Sequence, residues 1–199
     1  QAELDLLKIE GTGVSGRVTA ADVRRAEAEK PRPMSRLRRT IAARLTQAKK
    51  TIPHFYVSTS VDMTSILALR KSLKDRGVAL GVNDFIMKAV IDALTELPMV
   101  NAVTEDGETV RLRTRVHLGI AVNRDDGLVV PVIRKADVLD LDELHAEAGE
   151  LIEKARTGKA SPDELRGSTF TISNMGMMNV EQFSAIIQPN ESAILAVSS

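Results

Sequence analysis

The chain contains no cysteine, which removes disulfides, thiolate metal sites and a cysteine nucleophile at once and is compatible with a reducing compartment. It also lacks an excess of either charge. Lys and Arg total 27, Asp and Glu total 27, so no global basic surface points to nucleic acid or to a membrane. No apolar run approaches the length of a membrane span, and the acidic start Gln1-Ala2-Glu3-Leu4-Asp5 is unlike a signal or transit peptide. A first residue of Gln rather than Met leaves room for a segment upstream. What is present is a chain of 199 residues, 43% hydrophobic, enough to bury a sizeable core as one medium domain or one domain with a small appendage.

One stretch stands out, running from Gly167 to Met177. Thr169, Phe170, Thr171 and Ile172 carry the β-branched and aromatic bias of a buried strand, which then breaks into Ser173, Asn174 and a glycine. Two readings stay open for that polar tip. Ser173 and Asn174 either cap the strand and start a turn, or present a hydroxyl and an amide to a cleft.

The first 29 residues read as a unit of their own. Leu4, Leu6, Leu7 and Ile9 end a short apolar segment, residues 11–17 form a tight loop, and Thr19-Ala20-Ala21-Asp22 resembles a capping box opening a helix through Glu29. Gly11, Gly13 and Gly16 match a GxGxxG spacing. No strand or βαβ unit fits around them, so the dinucleotide reading is rejected in favour of a compact turn. Lys30-Pro31-Arg32-Pro33 follows as an extended linker.

Beyond the linker, residues 34–50 have helical spacing through Leu37, Ile41, Leu45 and Ala48, with Ser35 as cap and Arg36, Arg38, Arg39 and Arg44 on the surface. Those arginines form either a phosphate site or an ordinary solvated face. Residues 53–62 alternate as a strand, and Asp62 or Thr64 caps the next helix. Asn83 caps an apolar helix over residues 84–97 with Phe85, Ile86, Ala89, Val90, Ala93 and Leu94 as its buried stripe. Hairpins are predicted around Glu105-Asp106-Gly107 and Asp125-Asp126-Gly127, with Pro131 marking an edge, bulge or bend. A long amphipathic helix over residues 140–157 is closed by Gly158. His54 reads as a structural hydrogen-bonder and His145 as a solvated side chain.

These segments, in this order, resemble the acyltransferase (E2) subunits of 2-oxo acid dehydrogenase complexes. The resemblance rests on Arg39-Thr40-Ile41-Ala42-Ala43-Arg44-Leu45, Ile52-Pro53-His54-Phe55, Val82-Asn83-Asp84-Phe85, Asn101-Ala102 and Gly119-Ile120-Ala121-Val122. It continues through residues 127–133, Phe170-Thr171-Ile172-Ser173-Asn174 and Ala193-Ile194-Leu195-Ala196-Val197. The wording at Ile52-Pro53-His54-Phe55-Tyr56 and at residues 171–177 looks most like the acetyl-transferring, pyruvate dehydrogenase branch. Gly11-Thr12-Gly13, Gly16-Arg17-Val18 and Thr19-Ala20-Ala21-Asp22-Val23 look like the second half of the family's peripheral subunit-binding domain.

The resemblance implies an α/β, chloramphenicol acetyltransferase-like fold: a mixed sheet flanked by helices over residues 34–199, preceded by a partial helical subunit-binding segment at 1–29. It implies a homotrimer with active sites between subunits, building a larger core that holds dehydrogenase (E1 and/or E3) subunits, with neither nucleic acid nor membrane as partner. The implied reaction moves acetyl between a dihydrolipoyl thioester and coenzyme A, with the lipoyl group on an upstream domain and no metal. Ser173 aligns with the family's oxyanion-stabilising serine. Arg36, Arg39 and Arg134 are candidates for the coenzyme A phosphates, and Arg17, Arg24 and Arg25 for partner binding or for an ordinary solvated face. The implied address is the bacterial cytoplasm, with the mitochondrial matrix as alternative. The family's general base is a histidine in an Asp-His-Arg-x-x-Asp-Gly motif close to the C-terminus, and Ala196-Val197-Ser198-Ser199 ends the sequence before such a motif. None of His54, His117 and His145 lies in the matching context. Two expectations follow: a C-terminally incomplete piece of an acetyltransferase, inactive as these 199 residues alone, or a catalytically silent structural subunit of the same complex.

Overall fold

The computed structural model describes residues 8–199. The chain divides into two compact units, one ending at Ser35 and one running from Arg36 to Ser199. The predicted apolar segment through Leu4, Leu6 and Leu7 lies outside the described residues.

In the first unit a short 3-10 turn, Val14–Gly16, leads into helix α1, Ala20–Glu29. A side chain at Gly11 would overlap the carbonyl of Gly16, so the loop closes only because that position has no Cβ. Asp22, 1% exposed, is the hub. Its carboxylate accepts from Thr12 N (3.0 Å), Thr12 Oγ1 (2.8 Å), Thr19 N (2.9 Å) and Thr19 Oγ1 (2.8 Å). These donors hold its pKa well below the usual carboxylate range, the backbone N–H groups of Thr12 and Thr19 most of all. Thr19 and Asp22 form the capping box expected from the sequence.

The second unit opens with α2 (Arg36–Thr51), α3 (Thr64–Asp75) and α4 (Val82–Glu96). Four short strands follow, β1 (Leu118–Ile120), β2 (Val122–Arg124), β3 (Gly127–Val129) and β4 (Val132–Ile133). Helix α5 (Leu141–Arg156), β5 (Phe170–Asn174) and β6 (Ile194–Val197) complete it. The sheet is mixed, in the order β4-β1-β5-β6, antiparallel at β4-β1 and parallel across β1-β5-β6. Met87, Ile91 and Leu94 from α4 and Leu144, Ala148, Leu151 and Ala155 from α5 share one core with Leu118, Ile120, Phe170 and Ile172. Fully burying each large aliphatic side chain contributes about 1.5–3 kcal/mol, so this contact is what holds the helices on the sheet.

Several sequence expectations are corrected. Residues 53–62 pair with no strand among the described residues, and Phe55, Val57 and Val61 are exposed. Alternation marks a backbone ready to pair, but a strand also needs a neighbour. The hairpin at residues 100–112 is reduced to one bridge, Val103 to Arg111, because Pro98–Asn101 turns as a 3-10 segment instead. The buried stripe of α4 is rotated: Asp84, Met87, Ile91 and Leu94 face inward, while Ala89 and Ala93 face solvent. Small alanines leave the helix free to turn its longer side chains into the core. The helix begins at Val82, and Asp84 takes the cap by accepting from Gly81 N at 2.6 Å, so Asn83 is not the capping residue. The second hairpin is present but broken at Ala121 and Pro131, where Ile120 N bonds Pro131 O (3.0 Å) and Ala121 N bonds Ile172 O (2.9 Å). The bend expected from Pro131 is that break.

Candidate functional site

The chemistry-bearing end of the sheet is the carboxyl end of β5. At Thr171 and Ile172 the strand is flanked on both sides, by β1 and by β6. Beyond Ile172, β1 has left the sheet and only β6 remains, with Ser173 opposite Ala196 and Asn174 opposite Val197. Ser173 and Asn174 therefore sit in register inside the strand rather than in the turn after it. Ligands of open α/β sheets bind outside the carboxyl ends of strands, which is where this pair stands.

Strand alternation separates the two side chains. Phe170 and Ile172 pack in the helical core, and Asn174 follows them on that side, its Nδ2 donating to Asn83 Oδ1 on α4 at 2.6 Å. Asn174 Oδ1 accepts from Gly176 N at 2.8 Å. Thr171 and Ser173 belong to the opposite face. Thr171 Oγ1 donates to Glu191 Oε1 at 2.8 Å, whereas the half-buried Ser173 hydroxyl makes no hydrogen bond to any described residue. It is available as a donor.

Below Ser173 on that face lies Glu191, 6% exposed, bonded also by Ser168 Oγ, with its Oε2 buried and unpartnered. Burial pushes its pKa up to about 7; the hydroxyls of Ser168 and Thr171 and the charge of Arg113 pull the other way. Arg113 Nη2 is held by Asn190 O at 2.6 Å. Neither Glu191 nor Asn83 was legible as functional, and the partner of the amide at Asn174 was not either. Asn83 lay in a motif but read as a cap, and nothing in the mixed segment Ile186-Ile187-Gln188-Pro189-Asn190-Glu191-Ser192-Ala193 marked Glu191 as buried.

The three histidines are tied into the scaffold. His54 bonds Ile52 O through Nδ1 (2.7 Å) and accepts from Ile187 N through Nε2 (3.0 Å), which fixes its proton on Nδ1. His117 Nδ1 accepts from Lys135 N at 3.0 Å, and burial, with Arg134 beside it, lowers its pKa. His145 is exposed, as expected, and also bonds the buried Asp84 through Nδ1 at 2.8 Å. None bonds Ser173.

The arginines are scattered. Arg36 and Arg39 are exposed on α2, while Arg134 Nη2 donates to Asp163 O (2.9 Å) and Arg166 O (3.0 Å). A cleft of about 840 Å³ does gather Arg44, Arg111, Arg113, Arg115 and Arg166, but Ser173, Arg36, Arg39 and Arg134 do not line it. In the first unit Arg17 and Arg24 are exposed and Arg25 is paired with Asp22 at 3.1 Å. Among the described residues no group of three or more His, Asp or Glu could hold a metal, and no helix is long and apolar enough to cross a membrane.

Residues 26–199 match the family of 2-oxoacid dehydrogenases acyltransferase (catalytic domain). The chain is 37% identical to the dihydrolipoyllysine-residue acetyltransferase component of the pyruvate dehydrogenase complex of Rickettsia bellii, over 96% of this chain and 51% of that protein. It is 40% identical to the mitochondrial pyruvate dehydrogenase protein X component of Mus musculus, over 83% of this chain and 33% of that protein. The chain thus spans about half the length of the first and a third of the second. Among solved structures, the dihydrolipoamide acetyltransferase of Azotobacter vinelandii superposes with a TM-score of 0.81 at 38% identity, covering 85% of this chain and 72% of that one. That enzyme was studied for the role of a serine, a histidine and an asparagine in its catalytic mechanism. The fold is accordingly the mixed, chloramphenicol acetyltransferase-like sheet with helices expected from the sequence. Ordered motifs, sheet topology and overall likeness agree: the chain belongs to the 2-oxoacid dehydrogenase acyltransferase family, in its catalytic domain.

Proposed function

We propose that the chain is the catalytic part of a dihydrolipoyllysine-residue acetyltransferase of a pyruvate dehydrogenase-type complex, moving acetyl between a dihydrolipoyl thioester and coenzyme A. The observation that carries this reading is the unpartnered hydroxyl of Ser173 at the carboxyl end of β5. In the reaction a thiolate adds to a thioester carbonyl, and negative charge builds on the carbonyl oxygen before the other sulfur leaves. A fixed hydroxyl donor aimed at that oxygen lowers the barrier by about 2.7–4 kcal/mol, the effect of one oxyanion-hole donor. The named similarity to an enzyme that uses a serine in catalysis supports giving Ser173 this role.

Around that centre, coenzyme A and the dihydrolipoyl thioester are substrates, the lipoyl group being carried outside these residues. Arg36 and Arg39, exposed on α2, offer positive charge to the coenzyme A phosphates; Arg134 is already bonded to two carbonyls. The protein assembles as trimers within a larger core. Residues 1–29 are part of a peripheral subunit-binding domain that meets dehydrogenase subunits through Arg17 and Arg24, with Arg25 shared with Asp22. A second reading, a structural subunit without catalysis, is favoured by one fact: every described histidine already has a ring nitrogen engaged in the scaffold.

The test is acyl transfer by the full-length protein with acetyl, succinyl and branched donors, beside Ser173→Ala. Preferred use of acetyl and a 100-fold or greater fall in turnover for Ser173→Ala, at unchanged folding, is the expected result. No transfer from any donor supports the structural reading. Full turnover by Ser173→Ala removes the oxyanion role.

A further inference from the structure

We infer that Asn83 is a positioning residue for Ser173, acting through Asn174; the inference rests on the oxyanion role proposed for Ser173. Beyond Ile172, β5 has lost β1, so one edge of the strand is without a ladder where the reacting hydroxyl must be aimed. The bond from Asn174 Nδ2 to Asn83 Oδ1 at 2.6 Å supplies a tether there, to the first turn of a 15-residue helix.

The orientation of both amides follows from their partners. Gly176 N is a donor, so the Asn174 atom it meets at 2.8 Å is Oδ1. Nδ2 then faces Asn83, whose facing atom must accept and is Oδ1. Asn174 thus has both ends of its amide fixed, and Met175 N is held in turn by Val197 O at 2.8 Å. With Asn174 immobile on the helix side, the backbone that carries Ser173 cannot rotate, and its hydroxyl stays aimed away from the helices.

Asn83 is free for this task because its neighbour has taken the helix cap. Asp84 accepts from Gly81 N at 2.6 Å and from His145 Nδ1 at 2.8 Å. The first bond closes the start of α4 and the second ties its first turn to α5, so the tether is attached to a fixed point. A misplacement of about 1 Å at a reacting group costs up to about 100-fold in rate, which is the scale on which a lost tether is felt.

The experiment is steady-state acetyl transfer between acetyl-coenzyme A and dihydrolipoamide by the full-length protein, with Asn83→Ala, Asn83→Asp, Ser173→Ala and the Asn83→Ala/Ser173→Ala double variant. Asn83→Ala is expected to lower kcat about 10-fold with KM within about twofold, whereas Asn83→Asp, which keeps an acceptor at the same reach, retains kcat. In the Ser173→Ala background, Asn83→Ala should add less than about a twofold loss, because its effect passes through that hydroxyl. Wild-type kcat in Asn83→Ala, an equally slow Asn83→Asp, or a full 10-fold loss on top of Ser173→Ala would overturn the inference. If Asn83→Ala does not fold, Asn83→Gln replaces it, since it keeps the amide but displaces the acceptor by one methylene. The two readings fail differently: a slow Ser173→Ala beside a normal Asn83→Ala removes only the positioning role, while a normal Ser173→Ala removes both.

Discussion

Thr171 donates to Glu191 at 2.8 Å from the same face of β5 that carries Ser173, two residues further along. The acceptor is a carboxyl whose second oxygen is buried and unpartnered, so its charged form is costly in the folded chain. Its pKa rises from 4.5 to about 7 on folding, and the folded state therefore holds the proton more tightly. Stability contributed by this group is full below pH 4.5 and is lost as pH rises toward 7, by ~3 kcal/mol in all. Glu191→Gln should remove that slope. Thermal unfolding from pH 4.5 to 8.5 is expected to show the variant melting several degrees above the wild type at pH 8 and near it at pH 4.5, at about 2–4 °C per kcal/mol. Parallel pH profiles for the two proteins would refute the assignment.

Gly119 supplies the next prediction. A Cβ there would lie 2.8 Å from Thr171 Oγ1, 2.8 Å from Val130 Cγ1 and 3.1 Å from Ser168 Cβ. Two of the three cannot retreat easily, since Thr171 and Ser168 both bond Glu191. Gly119→Ala is expected to destabilise the protein by about 1–3 kcal/mol, the usual cost of overpacking. Chemical denaturation checks this, and a midpoint equal to wild type would mean that β1 and β5 sit further apart than described.

The roles open to Arg134 can be separated experimentally. Its Nη2 bonds two carbonyls of the segment after α5, Asp163 O and Arg166 O. Arg134→Ala should lower stability by about 1–3 kcal/mol through those two bonds, with KM for coenzyme A unchanged. A raised KM at normal stability would instead place Arg134 at the coenzyme A phosphates.

The sequence was most readable where local chemistry decides the outcome. The Thr19–Asp22 box, the amphipathic helix α5 and the strand Phe170–Asn174 each follow from residues a few positions apart. It was less readable where a distant partner decides. Residues 53–62 alternate properly yet pair with nothing described, and the face of α4 that turns inward is set by the sheet beneath it. The site shows the same division. Ser173 could be singled out from its motif, but Asn83 meets Asn174 across 91 positions and Glu191 meets Thr171 across 20, and no periodicity records such pairings.

Asp22 gives a last prediction, in the first unit. Its carboxylate binds the N–H and hydroxyl of both Thr12 and Thr19, joining the loop to the start of α1. The pKa lies below its ordinary 3.8, so the stabilisation is present above that pH and is lost as pH falls through the folded value. Asp22→Asn replaces one acceptor oxygen by a donor and cannot receive all four bonds. Amide hydrogen exchange in the full chain at pH 7 should therefore be faster across Ala20–Glu29 in Asp22→Asn than in the wild type, with β5 as an internal control for global unfolding. Acidifying the wild type from pH 3.8 down through the lower folded value should progressively reproduce that loss of α1 protection, while the variant, having no carboxylate to protonate at this position, should change less. Unaltered protection of α1 in Asp22→Asn would show that the helix is held by something other than this carboxylate.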